Sequence, residues 1–150
     1  MRIFKFSPSF LLALAASTLL GCAAPVSPPA SVPLNAASLV GVEWIASVVD
    51  GVEYLQAPKP RLRWTSTDAL SGTGGCNAFA GRAAIAAQNS LRIGSLVPTG
   101  KLCMTEPGAQ EDMFFKAIEL TRLARLESGQ LILLAEDGRV LLRMSRALVK

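Results

Sequence analysis

Three dipeptides, Asp50-Gly51, Ser128-Gly129 and Asp137-Gly138, each follow a short apolar run, and this punctuation confines the chain to short strands joined by tight turns. Glu43–Val49, rich in β-branched and aromatic residues, precedes the first turn. Leu123–Glu127, Gln130–Ala135 and Arg139–Met144 flank the other two and read as an antiparallel meander. After a break bracketed by Pro58 and Pro60, Leu62 and Trp64 alternate with Arg61, Arg63 and Thr65, the two-residue period of a half-buried strand. Ser71–Gly75 is glycine-rich, and Arg82–Ala87 and Leu91–Leu96 are further segments able to pair. The unbroken run Leu131–Leu134 predicts a strand covered on both faces.

One segment favours helix. From Pro107 to about Arg122, Met113, Phe114, Ala117, Ile118 and Thr121 form one stripe at helical spacing, which leaves Phe115 off the stripe. Glu106, Glu111 and Asp112 lie near its start, where the helix dipole favours anions, Pro107 suits the first turn, and Lys116 sits four residues after Asp112. Strands, one helix, then strands make an α+β fold: a curved, mainly antiparallel sheet or cracked β-barrel with the helix covering or plugging it.

The amino-terminal 38 residues follow different rules. Arg2 and Lys5 precede the apolar run Phe10–Leu20, a charged region and an apolar region of signal-peptide length, too short to span about 30 Å of hydrocarbon. The run ends in Leu19-Leu20-Gly21-Cys22, which resembles the lipobox of bacterial lipoproteins. That resemblance implies cleavage after Gly21 and acylation of Cys22, whose chains then anchor the protein stably in a membrane. Ala23 occupies the position where an Asp would imply inner-membrane retention, so the expectation is an outer-membrane anchor with the domain in the periplasm. Residues 22–38 contain four of the nine prolines and no charge, and read as an extended tether. The globular domain is expected over residues 39–150.

Removing residues 1–21 leaves 13 basic against 11 acidic residues, a net charge of +2, too weak a field to imply nucleic-acid binding. The chain has no histidine, which excludes Ser-His-Asp and Cys-His catalysis and any His-bound metal. No catalytic residue, cofactor or metal site is therefore assigned, and the domain is read as monomeric. Asp68, Glu106, Glu111 and Asp112 supply acids, with Glu111 and Asp112 read as helix-start charges. A Ser-Lys dyad lacks any nucleophile elbow to mark it. Arg139, Arg143, Arg146 and Lys150 read as a solvated face, with contact to anionic lipid as the alternative.

Gly75-Cys76-Asn77-Ala78-Phe79-Ala80-Gly81 resembles the hallmark of the META/HslJ domain family, Gly-Cys-Asn followed by an aromatic residue and Gly. The likeness extends to Trp44, Leu62-Arg63-Trp64, Leu70-Ser71-Gly72, Leu91-x-Ile93-Gly94, Thr99-x-x-x-Cys103, Glu111, Phe115 and Gly129-Gln130-Leu131, and so covers about residues 39–145. It implies a small cracked-barrel-like antiparallel fold with one helix, in envelope lipoproteins linked to stress or drug tolerance, and it carries no established catalytic residues.

With Cys22 assigned to acylation, Cys76 and Cys103 remain as an even pair in a compartment that permits disulfides. A bridge closing 28 residues is the reading adopted, and two small buried thiols are the alternative. Gly72, Gly74, Gly75 and Gly81 lack the Lys-Ser/Thr of a phosphate loop and read as turns or bulges of a curved sheet. Asn77 is expected to bond the backbone of its own turn, with ligand contact as the alternative. Trp44, Trp64, Phe79, Phe114 and Phe115 are expected in the core, with exposure as the alternative for Phe115, which is off the helical stripe. The resulting expectation is a non-enzymatic, lipid-anchored envelope protein that binds or stabilises an envelope partner. The alternatives are a carrier of a small apolar ligand or lipid in the barrel mouth and, third, an envelope hydrolase.

Overall fold

The computed structural model describes residues 34–53, 57–103 and 106–148. Residues 1–21, Cys22, most of the expected tether and Lys150 lie outside the described residues, as do the side chains of Glu106 and Pro107. A short helix α1 (Ala36–Leu39) leads into strands β1 (Glu43–Val49), β2 (Val52–Glu53), β3 (Arg61–Trp64), β4 (Ala69–Thr73), β5 (Ala78–Ile85), β6 (Leu91–Ile93) and β7 (Val97–Pro98). The long helix α2 (Glu106–Leu120) follows, then β8 (Leu123–Glu127), β9 (Gln130–Leu134) and β10 (Val140–Arg146).

All the ladders between named strands are antiparallel, in the order β6-β5-β4-β3-β1-β10-β9-β8, with β2 added to β1 and β7 to β5. The two ends of this path return to one another: the Leu91 N–H donates to the Arg122 carbonyl at 2.8 Å, and Ser90 bridges Leu123. The sheet is thus a nearly closed barrel with one seam, between β6 and β8, and the α+β expectation holds. Turn chemistry accounts for the register at two hairpins. Asp50 and Gly51 (φ 46° and 83°), and Ser128 and Gly129 (φ 51° and 78°), take the left-handed backbone that two-residue hairpin loops require.

Alternation decides which side chains fill the interior. Leu62 and Trp64 of β3 are buried while Arg61 and Arg63 are exposed, and Trp44, Leu70, Leu91, Leu131, Leu133, Leu142 and Met144 join the same core. The other face of β9, Ile132 and Leu134, is buried as well, as the unbroken apolar run requires. Helix α2 packs against β1 and β10 and buries Phe114, Ala117 and Ile118, and Thr121 just beyond its end is buried as well. The barrel interior is therefore filled by the chain's own aromatic and aliphatic groups.

Several details depart from the sequence reading. The packed domain begins by Leu34, which is 7% exposed and whose N–H donates to Asn89 Oδ1 at 2.7 Å; Asn35 then caps α1 through the Ala37 N–H. Helix α2 ends at Leu120: Thr121 N already bonds the Ile118 carbonyl at 3.1 Å and Arg122 N the Leu134 carbonyl at 2.8 Å, while the Thr121 hydroxyl and Arg122 Nη1 satisfy the terminal carbonyls of Ala117, Glu119 and Thr121. Met113 is 38% exposed at the margin of the helical stripe, whereas Phe115 is half-buried, its ring edge-on to Phe79 at 5.4 Å. Strand β5 starts at Ala78, so part of the glycine-rich hallmark is strand. The carboxy-terminal basic residues are not simply a solvated face: Arg139 pairs with Asp50, and the Arg146 guanidinium lies over the Trp44 ring at 5.3 Å.

Candidate functional site

The β4–β5 connection places the hallmark residues at one end of the sheet. Gly74 N–H donates to the Asn77 carbonyl at 2.9 Å, and Gly75 at φ 124° supplies a backbone that side-chain-bearing residues rarely adopt. This turn aims the N–H groups of Cys76 and Asn77 at the same point. Successive N–H groups so arranged make an anion nest, and the anion is the chain's own Glu111. Its Oε2 accepts from Cys76 N at 3.0 Å and from Asn77 N at 2.5 Å, and its Oε1 accepts from Asn77 Nδ2 at 2.7 Å.

Glu111 is only 4% exposed and lies more than a turn into α2, so it is not the helix-start charge its position suggested. Among the described residues no basic side chain is a hydrogen-bonding partner of Glu111; three N–H donors satisfy the buried carboxylate instead. The same contact explains Gly74. A Cβ there would fall 2.5 Å from Glu111 Cγ and 2.7 Å from Oε2, so only glycine lets the carboxylate approach. Gly72 and Gly81 are likewise close-approach positions inside strands rather than turns: a Cβ at Gly72 would meet the Phe79 ring at 2.7 Å, and one at Gly81 would meet Leu96 Cδ2 at 2.7 Å.

Asn77, 6% exposed, is the hub. Its Oδ1 accepts from the Thr99 hydroxyl at 2.8 Å and from Lys101 N at 2.7 Å, while Nδ2 donates to the Lys101 carbonyl at 3.1 Å and to Glu111. A flipped amide would face oxygen to carboxylate and N–H to N–H, so the network itself fixes the orientation. The side chain thus grips the backbone of a segment 24 residues away rather than its own turn. A disulfide joins Cys76 to Cys103 beside this network, with the Cα atoms 6.3 Å apart.

Segment 97–103 is consequently clamped along its length. Val97 and Pro98 pair with Ala80 and Phe79, Thr99 N donates to the Ala78 carbonyl at 3.0 Å, Lys101 is held at both backbone groups, and Cys103 is cross-linked. From this support Val97 (71% exposed) and Leu102 (88% exposed) project to the surface. Phe79 lies beneath, packed on Phe114 and Phe115.

Cys76, Cys103 and Glu111 bring their ligand atoms within 4.8 Å of one another, but both sulfurs are in the disulfide and the carboxylate is occupied by N–H donors. The remaining described acids lie elsewhere. Asp68 sits in the β3–β4 turn, where the Ser66 hydroxyl at 2.7 Å, and then the Arg82 guanidinium, hold its carboxyl below the ordinary value of 3.8. Asp112 is exposed on α2. Sequence reasoning missed the role of Glu111, although a signal existed: Glu111, Phe114 and Ile118 fall at i, i+3 and i+7, on the buried face.

The META domain model matches residues 37–147 of this chain. Among solved structures, the chain is similar to an NMR structure of a protein from Burkholderia xenovorans, with 26% identity and a TM-score of 0.60 over 84% of this chain and 98% of that one. A second NMR structure shares the fold at 17% identity, with a TM-score of 0.60 over 75% and 94% of the two chains. No curated protein matches. With its hallmark turn, its nearly closed barrel and a family match across most of its length, the chain belongs to the META domain family.

Proposed function

We propose that this is a non-enzymatic, lipid-anchored envelope protein whose META domain binds or stabilises another envelope component, with stress as the circumstance that calls on it. Acylated Cys22 would hold it in the outer membrane and the proline-rich segment would carry the domain, as a monomer, into the periplasm. The observation that supports the binding role is the clamped segment 97–103, which presents Val97 and Leu102 to solvent from a backbone fixed by Asn77 and Cys103. Exposed apolar side chains on a rigid support are preorganised for association, because little ordering entropy remains to oppose it. The non-enzymatic reading is supported by Glu111: the buried acid of the hallmark network has its oxygens committed to structural donors.

Two measurements test this reading. Radioactive fatty acid should label the mature protein but not its Cys22→Ala variant; an unlabelled parent, or label retained in the variant, refutes the anchor. A photo-crosslinking amino acid at position 102 should give a discrete cross-linked species in intact cells, and one at the exposed Asp137 should not. No adduct at position 102, or the same adducts at both, refutes partner binding through this segment.

A further inference from the structure

The seam of the barrel carries a second feature, which adjoins the clamped segment at Pro98. Beyond the Leu91–Arg122 hydrogen bond and the Ser90–Leu123 bridge, no ladder joins β6 to β8 among the described residues, and a cleft of about 680 Å³ opens between β6, the segment leading to β7, and the C-terminal half of α2. This volume falls within the range of small-ligand sites, about 300–1,000 Å³. Ile93, Leu96 and Phe115, each half-buried against the core, form an apolar floor. Arg92, Arg122 and Glu119 line the same cleft, which gives it a formal charge of +1. Arg92 is exposed and forms no ion pair among the described residues, whereas Arg122 also caps the end of α2.

From this geometry we infer that the seam cleft binds a single-chain anionic amphiphile, a long-chain fatty acid, with the alkyl chain on the Ile93–Leu96–Phe115 floor and the carboxylate beside Arg92. Two features select this occupant. A net charge of +1 complements a monoanion, while Glu119 opposes a more highly charged head group. An extended peptide is disfavoured because β6 is three residues long and Leu91 already pairs with Arg122, leaving little edge on which to add a strand. The filled interior places any such ligand at the seam rather than in the barrel mouth. The cleft touches the clamped segment at Pro98, but none of its residues belongs to the network of Asn77 and Glu111, so variants at Arg92 and Ser95 test it apart from the partner-binding reading.

The test uses the full chain carrying Cys22→Ala, so that its own acyl groups do not compete. Dodecanoate, dodecylphosphate and dodecyltrimethylammonium, all below their micelle concentrations, are titrated by calorimetry into this protein and into the same protein with Arg92→Glu or Ser95→Trp. Both substitutions lie at exposed positions lining the cleft, and matching thermal unfolding midpoints establish that both variants fold. Dodecanoate should bind the parent more tightly than either other amphiphile. Arg92→Glu, which turns +1 into −1, should weaken dodecanoate by about tenfold and narrow its advantage over the cationic amphiphile, and Ser95→Trp should weaken all three. Equal dodecanoate affinity in the parent and both variants, or tighter binding of the cation by the parent, overturns the inference. Tighter binding of dodecylphosphate overturns the choice of a carboxylate.

Discussion

Replacing Glu111 by Gln is the sharpest perturbation of the hallmark network, because it keeps the shape and changes one oxygen into a donor. If the amide oxygen stays on the N–H groups of Cys76 and Asn77, its NH₂ faces Asn77 Nδ2, donor against donor. Flipping Asn77 moves the conflict to Lys101 N and takes the acceptor from the Thr99 hydroxyl. Every rotamer therefore loses at least one hydrogen bond. Charge-assisted bonds contribute about 1.5–3 kcal/mol and neutral ones about 0.5–1.5 kcal/mol. Losing one bond and neutralising two others costs about 4 kcal/mol, and relief from burying a charge offsets about 1 kcal/mol of it. The expected net loss is about 3 kcal/mol, or about 12 °C in Tm for a domain of this size. Unfolding followed by the fluorescence of buried Trp44 and Trp64, without reductant, measures it, with the exposed Asp112→Asn as a control expected within about 0.5 kcal/mol of the parent. If Glu111→Gln matches that control, the carboxylate is not what holds the hallmark turn.

Two further expectations follow from the same geometry. Replacing Cys76 and Cys103 together by Ser should remove about 3–4 kcal/mol, the chain-entropy value for a 28-residue loop, and the unfolded, unreduced mature protein should show no reactive thiol; two thiols per chain would refute the bridge. The Asp68 carboxyl should titrate below 3.8, chiefly through the Ser66 hydroxyl and next through Arg82. Since its folded value lies below the unfolded one, its contribution to stability is complete above about 3.8 and is lost as the pH falls through the folded value. Carboxyl NMR of the parent and of Ser66→Ala measures both values; a parent midpoint at or above 3.8 sinks this reading.

The seam cleft and the clamped segment are neighbouring features of one small domain, in contact at Pro98. The clamp is preorganised by cross-links and buried hydrogen bonds, whereas the cleft exists because the sheet fails to close. Leu96 lines the cleft and lies against Gly81 of the hallmark strand. A bulkier residue at Gly81 would therefore disturb the cleft as well as β5.

What the sequence determined by itself was local. Period-two alternation placed Leu62 and Trp64 inward, Asp-Gly and Ser-Gly set the hairpins, and helical spacing located α2 to within two residues at either end. These follow from backbone sterics and from burial of one face, which need only neighbouring residues. Tertiary structure decided the rest. Asn77 and Glu111 are 34 residues apart, and Asn77 and Lys101 are 24 apart. Glu111 reads as a helix-start charge until the turn that supplies its N–H partners is brought against it. Likewise Gly74, Gly72 and Gly81 read as turn or bulge residues because their neighbours in space, Glu111, Phe79 and Leu96 respectively, lie elsewhere in the chain. The seam was equally illegible, because it marks where two strands stop pairing, and each strand's own residues are compatible with either outcome.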